Sequence, residues 1–247
     1  MENLKYNEET YDRIFVKDNK SLIKYSMIPK EVWMSLLSKN IEFLNNPIKI
    51  AHLKEQELKY FPNYKSKILL PFLNGYETLT NEQFTKNLNT EDILKQLRDI
   101  LLKIRSMHRK QLFHTDLFGD NIMINRDFDI KFIDLDQMII DKYISEENVF
   151  FEDDITFNEK KSLSRIQDKV DILNLYMYYL INGNFKKSIS INSNVNTLDI
   201  PNNIKKEINA YIIGDIEPTS NYYFIDIIDE LLRIGYESRV LSLRKGI

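Results

Sequence analysis

The chain contains no cysteine. That excludes disulfides, thiol nucleophiles and zinc sites built on thiolates, and it fits a cytoplasmic protein. Histidine is nearly as scarce: His52, His108 and His114 are the only three, which argues against a His-rich metal centre. A strong charge of either sign is also missing. The formal net charge is −3, so there is no general electrostatic reason to bind nucleic acid. No apolar run reaches membrane-spanning length, and the polar start MENLKYNEETYD does not read as a signal peptide, so no membrane partner is expected. What remains is a globular composition, with 43% hydrophobic and 12% aromatic residues in 247, enough for one large domain or two small lobes around a core. The abundance of Asn, Ile and Lys reads as genome bias.

The most informative stretch runs from His108 to Asp136. His114, Thr115 and Asp116 open it, Asn121 follows Asp116 by five residues, and Asp134 follows Asn121 by thirteen. Two apolar runs, Ile122–Ile124 and Ile130–Ile133, flank the polar Arg126, Asp127, Phe128 and Asp129, the pattern of two short strands and a turn. Such a hairpin brings Asn121 close to Asp134. Phosphoryl transfer suits these residue types. It needs Mg²⁺ on hard oxygen ligands, here Asn121 and Asp134, and a carboxylate, Asp116, to orient the attacking hydroxyl and take its proton. Asp and Asn are common in turns, so the combination and not the loop alone carries the reading.

Before this stretch, the runs Arg13–Val16 and Ser21–Tyr25 around Asp18-Asn19-Lys20 predict a hairpin. Pro29-Lys30-Glu31 predicts a helix start, with Trp33, Leu36, Leu37, Ile41 and Leu44 on one face and Asn45-Asn46-Pro47 as its stop. Ile48–Leu53 and Ile68–Leu70 read as strands separated by a polar loop. A boundary is expected at Pro71–Gly75, with helices dominating beyond. Asn89–Asp92 reads as a helix start, and Ile93, Leu94, Leu97, Ile100, Leu101, Ile104 and Met107 form its apolar face. After Asp136 an acidic irregular stretch is expected to about Ser164. A buried helix through Val170–Ile181 follows, ended by Gly183. A polar loop over 184–201 and helices over 204–213 and 223–234 complete the reading.

Together these features resemble the protein kinase superfamily across nearly the whole chain. The resemblance implies an α+β, two-lobed protein-kinase-like fold: a small β-sheet N-lobe with one helix over 1–74, a hinge, and a helical C-lobe over 75–247. It implies ATP and Mg²⁺ as cofactors. His108, six residues before His114, fits the family's run ahead of the catalytic loop, and Asp171 matches the Asp that braces that loop. Asp116 matches the catalytic base, Asn121 a metal ligand, Asp134 the principal metal ligand of the D-F-G element, and Lys24 the lysine that pairs with the α- and β-phosphates. The helix glutamate that should pair with Lys24 is either Glu42, which has a plausible separation but sits late in its helix, or Glu31, better suited to the helix end. Glu42 is favoured, against a plain solvated position. Phe72 and Leu73 would present hinge backbone groups to adenine. Asp136 would join a second metal or close a turn.

Departures from the family pattern are informative. Asn7, Glu9 and Asp12 fall where three glycines of the phosphate loop would align, so side chains intrude and two of them repel ATP. Thr115 stands in place of the Arg that docks a phosphorylated activation loop. Glu159 falls near the A-P-E glutamate, but its Arg partner aligns with Asn221. Phe118 stands where serine/threonine kinases carry Lys, and Asp116-Leu117-Phe118-Gly119-Asp120-Asn121 is similar to loops of aminoglycoside, choline and homoserine phosphotransferases. The spacing from Asp134 to Asp171 leans instead to protein kinases, which tips the expected acceptor to a protein Ser/Thr. The alternatives are a small hydroxylated molecule, with acidic Glu146–Asp154 attracting a cationic substrate, or a nucleotide-binding pseudokinase.

Overall fold

A computed structural model describes residues 14–18, 20–81, 89–145 and 156–182, with isolated residues 202 and 206. The readings for Asn7, Glu9, Asp12, 146–154, 184–201, 204–213 apart from residue 206, Asn221 and 223–234 lie outside the described residues. The architecture is mixed α/β: three small antiparallel sheets and few helices.

The first sheet has the order β1-β2-β4-β3, with β1 Ile14–Asp18, β2 Ser21–Ser26, β3 Lys49–His52 and β4 Ser66–Pro71. Strand alternation sorts its faces. Ile14, Leu22, Lys24, Ile68 and Leu70 line one cavity. On the other side Tyr25 stacks on Phe61, ring centroids 4.0 Å apart. The predicted polar loop between β3 and β4 holds a short helix, α2, Glu55–Leu58.

Helix α1 covers Lys30–Ser38. It docks through two buried serines of the sheet. Ser26 Oγ accepts the Ile28 N–H at 3.1 Å and Trp33 Nε1–H at 3.3 Å, and Ser66 Oγ donates to the Ile28 carbonyl at 2.7 Å. The helix stops earlier than the apolar spacing suggests, because Asn40 takes a left-handed conformation, φ 47°. Ile41 and Leu44 are still buried, but on the turn that follows. There Leu44 bridges Phe132, and the Asn45 N–H donates to the Phe132 carbonyl at 2.9 Å. The apolar pattern continues past the helix because helix and turn face the same core. Lys110 Nζ caps the helix end, donating to the carbonyls of Lys39 (2.6 Å) and Asn40 (2.9 Å), where the helix dipole favours a cation.

Beyond Gly75, which turns at φ 79°, the two long helices hold most of the regular structure among the described residues, and short strands join them. One sheet has the order β5-β7-β8, with β5 Tyr76–Thr78, β7 Ile122–Asn125 and β8 Ile130–Phe132. The other has the order β10-β9-β6, with β6 Leu112–Phe113, β9 Ile139–Ile140 and β10 Tyr143–Ile144. Helix α3, Thr90–Arg109, starts on Asn89, whose side chain accepts the Asp92 N–H at 2.7 Å. Its predicted apolar face is buried along its whole length, from Ile93 to Met107.

Helix α4 spans Phe157–Asn182 and packs on α3. It begins well before the expected point. Thr156 and Glu159 form its start: Thr156 Oγ1 accepts the Glu159 N–H, and Glu159 Oε2 accepts the Thr156 N–H at 2.9 Å. Glu159 is therefore a capping residue, exposed to solvent. Ile172, Leu175 and Tyr176 enter the core that runs from Trp33 and Leu36 through α3 to Phe132.

Candidate active site

The loop from His114 to Asn121 leaves β6 and returns as β7, so both ends are held by strands. Its backbone is fixed from α4. Asp168, fully buried, accepts the backbone N–H of His114 at 3.0 Å on one carboxylate oxygen and that of Thr115 at 2.7 Å on the other. His108 Nε2 lies 2.9 Å from the first of these oxygens. Burial lowers the His108 pKa despite the opposing carboxylate, so the ring is neutral and donates Nε2–H. Asp168, and not Asp171, is thus the residue that braces the loop. The two lie one helical turn apart, and spacing alone assigned the wrong one.

Further bonds join this loop to the segment after β8. Thr115 adopts φ 66° and donates its hydroxyl to the Gln137 carbonyl at 2.7 Å. His114 Nε2 lies 2.8 Å from the Ile133 carbonyl, which can only accept, so that nitrogen carries the proton. The Ile133 N–H donates to the Asn121 carbonyl at 3.0 Å, the hairpin closure expected from sequence. The Asn121 side chain then turns back on Asp116. Its Nδ2 donates to the Asp116 carbonyl at 2.8 Å and to the Asp116 carboxylate at 3.0 Å. Burial, together with Asp134 and Asp168 nearby, holds the Asp116 carboxyl above its ordinary pKa, although His114 and the Asn121 hydrogen bond oppose this. A carboxylate shifted this way is a better base.

A cavity of about 680 Å³ collects Lys24, Asn121 and Asp134 on its walls with Trp33, Leu70, Phe72, Leu73, Glu77 and Met123. Its mixture of apolar wall and few polar groups is that of a cofactor-sized pocket. Asp134 sits in the left-handed region, φ 58° and ψ 67°, a backbone conformation uncommon outside glycine. Lys24 is almost fully buried. Its Nζ lies 2.5 Å from Asp136 Oδ2 and 2.7 Å from Asp134 Oδ1. Burial opposes the charge, but Asp136 and then Asp134 more than offset it, so the Lys24 pKa is raised and the ammonium is secure.

Several expected partners are not brought together. Glu42 lies past the end of α1, exposed, with its carbonyl accepting from Lys131 Nζ at 2.8 Å; it does not meet Lys24. Glu31, in the first turn of α1, faces solvent beside His52, 3.8 Å away. Asp136 is 2% exposed and is not part of the cavity wall, so its position favours the ion pair over a metal. Phe72 and Leu73 do line the cavity. The Phe72 N–H, however, is engaged by the Lys20 carbonyl at 2.8 Å, and the Leu73 carbonyl by the Tyr76 N–H at 3.2 Å. Leu117 is core, while Phe118 is 40% exposed.

Among the described residues no group of three or more His, Cys, Asp or Glu side chains converges as a metal cage. Mg²⁺ does not require one. It commonly takes one or two protein oxygens and completes its shell with phosphate and water. The Asp134 carboxylate and the Asn121 amide oxygen, whose NH₂ is committed to Asp116, fit that donor set on one cavity wall. No helix among the described residues is long and apolar enough to cross a membrane.

A family model described as "Kdo: Lipopolysaccharide kinase (Kdo/WaaP) family" matches residues 46–141. The matched stretch contains Asp116, Asn121, Asp134 and Asp136 and leaves out Lys24. No curated protein matches the chain. That match spans less than half of the chain and falls on the loop and hairpin that hold the acids and the amide; it likens the chain to the protein kinase-like superfamily and implies a phosphotransferase.

Proposed function

We propose that the protein transfers the γ-phosphate of ATP to the hydroxyl of a sugar or another small molecule. The sequence leaned to a protein Ser/Thr; the matched family's description names a lipopolysaccharide kinase, which favours the small-molecule alternative. Phe118 agrees with this choice, since an exposed aromatic occupies the place of the protein-kinase lysine. The observation that carries the reading is the assembly of Lys24, Asn121 and Asp134 on one cavity, with Asp116 hydrogen-bonded to Asn121.

In this reading the chain has the two-lobed kinase arrangement. Residues 1–74 form the sheet lobe over the nucleotide and 75–247 the lobe that carries the loop. Ile14, Leu22, Ile68, Leu70 and Met123 enclose the adenine, and Lys24 meets the α- and β-phosphates. Asn121 and Asp134 would hold a Mg²⁺ ion, which would supply neutralisation of the phosphate charge. Asp116 orients the acceptor hydroxyl. The acceptor oxygen forms its bond to the γ-phosphorus, the bond from that phosphorus to the β,γ-bridging oxygen breaks, ADP leaves, and the hydroxyl proton goes to the Asp116 carboxylate. Catalysis is then mostly positioning and charge stabilisation. The protein would act in the cytoplasm, where ATP is available.

Incubation with Mg²⁺ and γ-labelled ATP against lipopolysaccharide and its sugars, other sugars, amino alcohols, aminoglycosides and proteins tests the proposal. Label is expected on a sugar or small-molecule hydroxyl. Label on protein side chains alone would overturn it.

A further inference from the structure

In the kinases that the chain resembles, a glutamate of the sheet-lobe helix holds the nucleotide lysine. Helix α1 has no residue for that task. Its one acid, Glu31, is exposed in the first turn, and its buried residues are Trp33 and Leu36. Lys24 is held instead from the other side of the cavity, by two carboxylates two positions apart on one turn, Asp134 and Asp136.

These two acids are not equivalent. The Asp134 side chain is 36% exposed and forms part of the cavity wall. The Asp136 side chain is 3% exposed, lies off that wall, and makes the shorter contact to Lys24. The backbone that follows the Asp136 side chain is pinned. Its carbonyl accepts the Ser145 hydroxyl, and the next carbonyl, of Gln137, accepts the Thr115 hydroxyl. A buried, backbone-fixed carboxylate makes a lasting anchor for a buried ammonium. An exposed one at the cavity edge is suited to ligands that come and go.

We propose that Asp136 is the positioning residue for Lys24, taking the place of the helix glutamate, while Asp134 serves the nucleotide side of the cavity. Resting on the phosphotransferase reading above, this assigns the anchor to the turn that follows the metal-ligand aspartate. Lys24 is then ordered by the same turn that Thr115 ties to the catalytic loop, and α1 does not have to supply an ion pair for the site to form.

The test is a double-mutant cycle on the full chain without nucleotide, followed by kinetics. Asp136→Asn leaves the Lys24 charge without its main partner and should lower Tm by about 5–10 °C. Adding Lys24→Met to it should recover most of that loss, whereas Asp134→Asn should lower Tm by less than half as much. In the transfer assay Asp136→Asn should reduce kcat at least tenfold with the KM for ATP changed less than threefold, and Asp136→Glu should restore part of kcat. Additive Tm losses for Lys24→Met and Asp136→Asn, or an Asp134→Asn loss equal to that of Asp136→Asn, would overturn the proposal. So would an Asp136→Asn enzyme with wild-type kcat. A wild-type protein that phosphorylates no acceptor would sink the functional reading, while the Tm cycle would still decide whether Asp136 anchors Lys24.

Discussion

One carboxylate oxygen of Asp168 accepts the backbone N–H of Thr115 at 2.7 Å, joining the middle of α4 to a residue beside the proposed base. The other oxygen takes the His114 N–H and faces His108. A buried acceptor with three donors is costly to alter, because each donor is left unpaired in a site that water does not reach. Asp168→Asn places an NH₂ group against N–H donors. It is expected to cost about 3–5 kcal/mol of stability, comparable to breaking a buried ion pair, and to loosen the loop. Thermal unfolding and kcat would both fall. A variant with wild-type Tm and kcat would show that the brace lies elsewhere.

Asp171 sits one turn further along α4, mostly buried, hydrogen-bonded by Gln167 and close to Asp168 and Asp116. Burial first, then the two neighbouring carboxylates, push its pKa up to about 8. The unfolded chain would titrate this group near 4. Between those values the folded protein holds a proton that the unfolded chain has released. The stability from this group is full below about pH 4 and is lost as pH rises to about 8. Each pH unit in that window is worth up to about 1.4 kcal/mol. Asp171→Asn should therefore flatten the fall of Tm between pH 6 and 8 and be the more stable protein at pH 8. Parallel Tm curves for the two proteins would contradict the shift.

Gly119 lets the loop before β7 pass close to Thr80. A Cβ there would lie 2.8 Å from Thr80 Cγ2 and 3.4 Å from Leu175 Cδ1. Thr80 has little freedom to retreat, since its hydroxyl donates to Asp120. Gly119→Ala should cost about 1–3 kcal/mol, the usual range for overpacking. Adding Thr80→Ser removes the offending methyl and keeps the hydroxyl. Restoration of Tm in the double variant supports the clash, and no restoration places the cost elsewhere.

Asp141 accepts from Ser35 Oγ at 3.1 Å and Lys39 Nζ at 2.7 Å, linking α1 to the turn between β9 and β10. Both bonds are exposed, and exposed ion pairs contribute roughly 0–1 kcal/mol. Asp141→Ala is expected to shift urea unfolding by no more than that. A loss of several kcal/mol would mean that α1 depends on this tie more than on Trp33 and Leu36.

What the sequence made legible follows from distance along the chain. The hairpin over 122–133 and the buried face of α3 are written in spacings of two, three and four residues, and both formed as expected. So did the approach of Asn121 to the end of β8, because one turn decides it. Helix α1 ends before its apolar spacing does, because Ile41 and Leu44 keep a helical spacing on a turn. Strands β6, β9 and β10, of two residues each, are too short for a periodic signal. Asp136 as the partner of Lys24 is a contact across more than a hundred residues, and nothing local marks it. Asp168 and Asp171 share a helix face, so only coordinates separate the brace from its protonated neighbour.

The most direct test of the site is a comparison of wild type with Asp116→Asn, measuring phosphate transfer to the identified acceptor and Mg²⁺-dependent ATP binding in parallel. A general base contributes about 10²–10⁴-fold to rate, so kcat should fall by at least a hundredfold while the Kd for ATP stays within threefold. Turnover equal to wild type would contradict Asp116 as the base and, with it, the assembly built around Asn121 and Asp134.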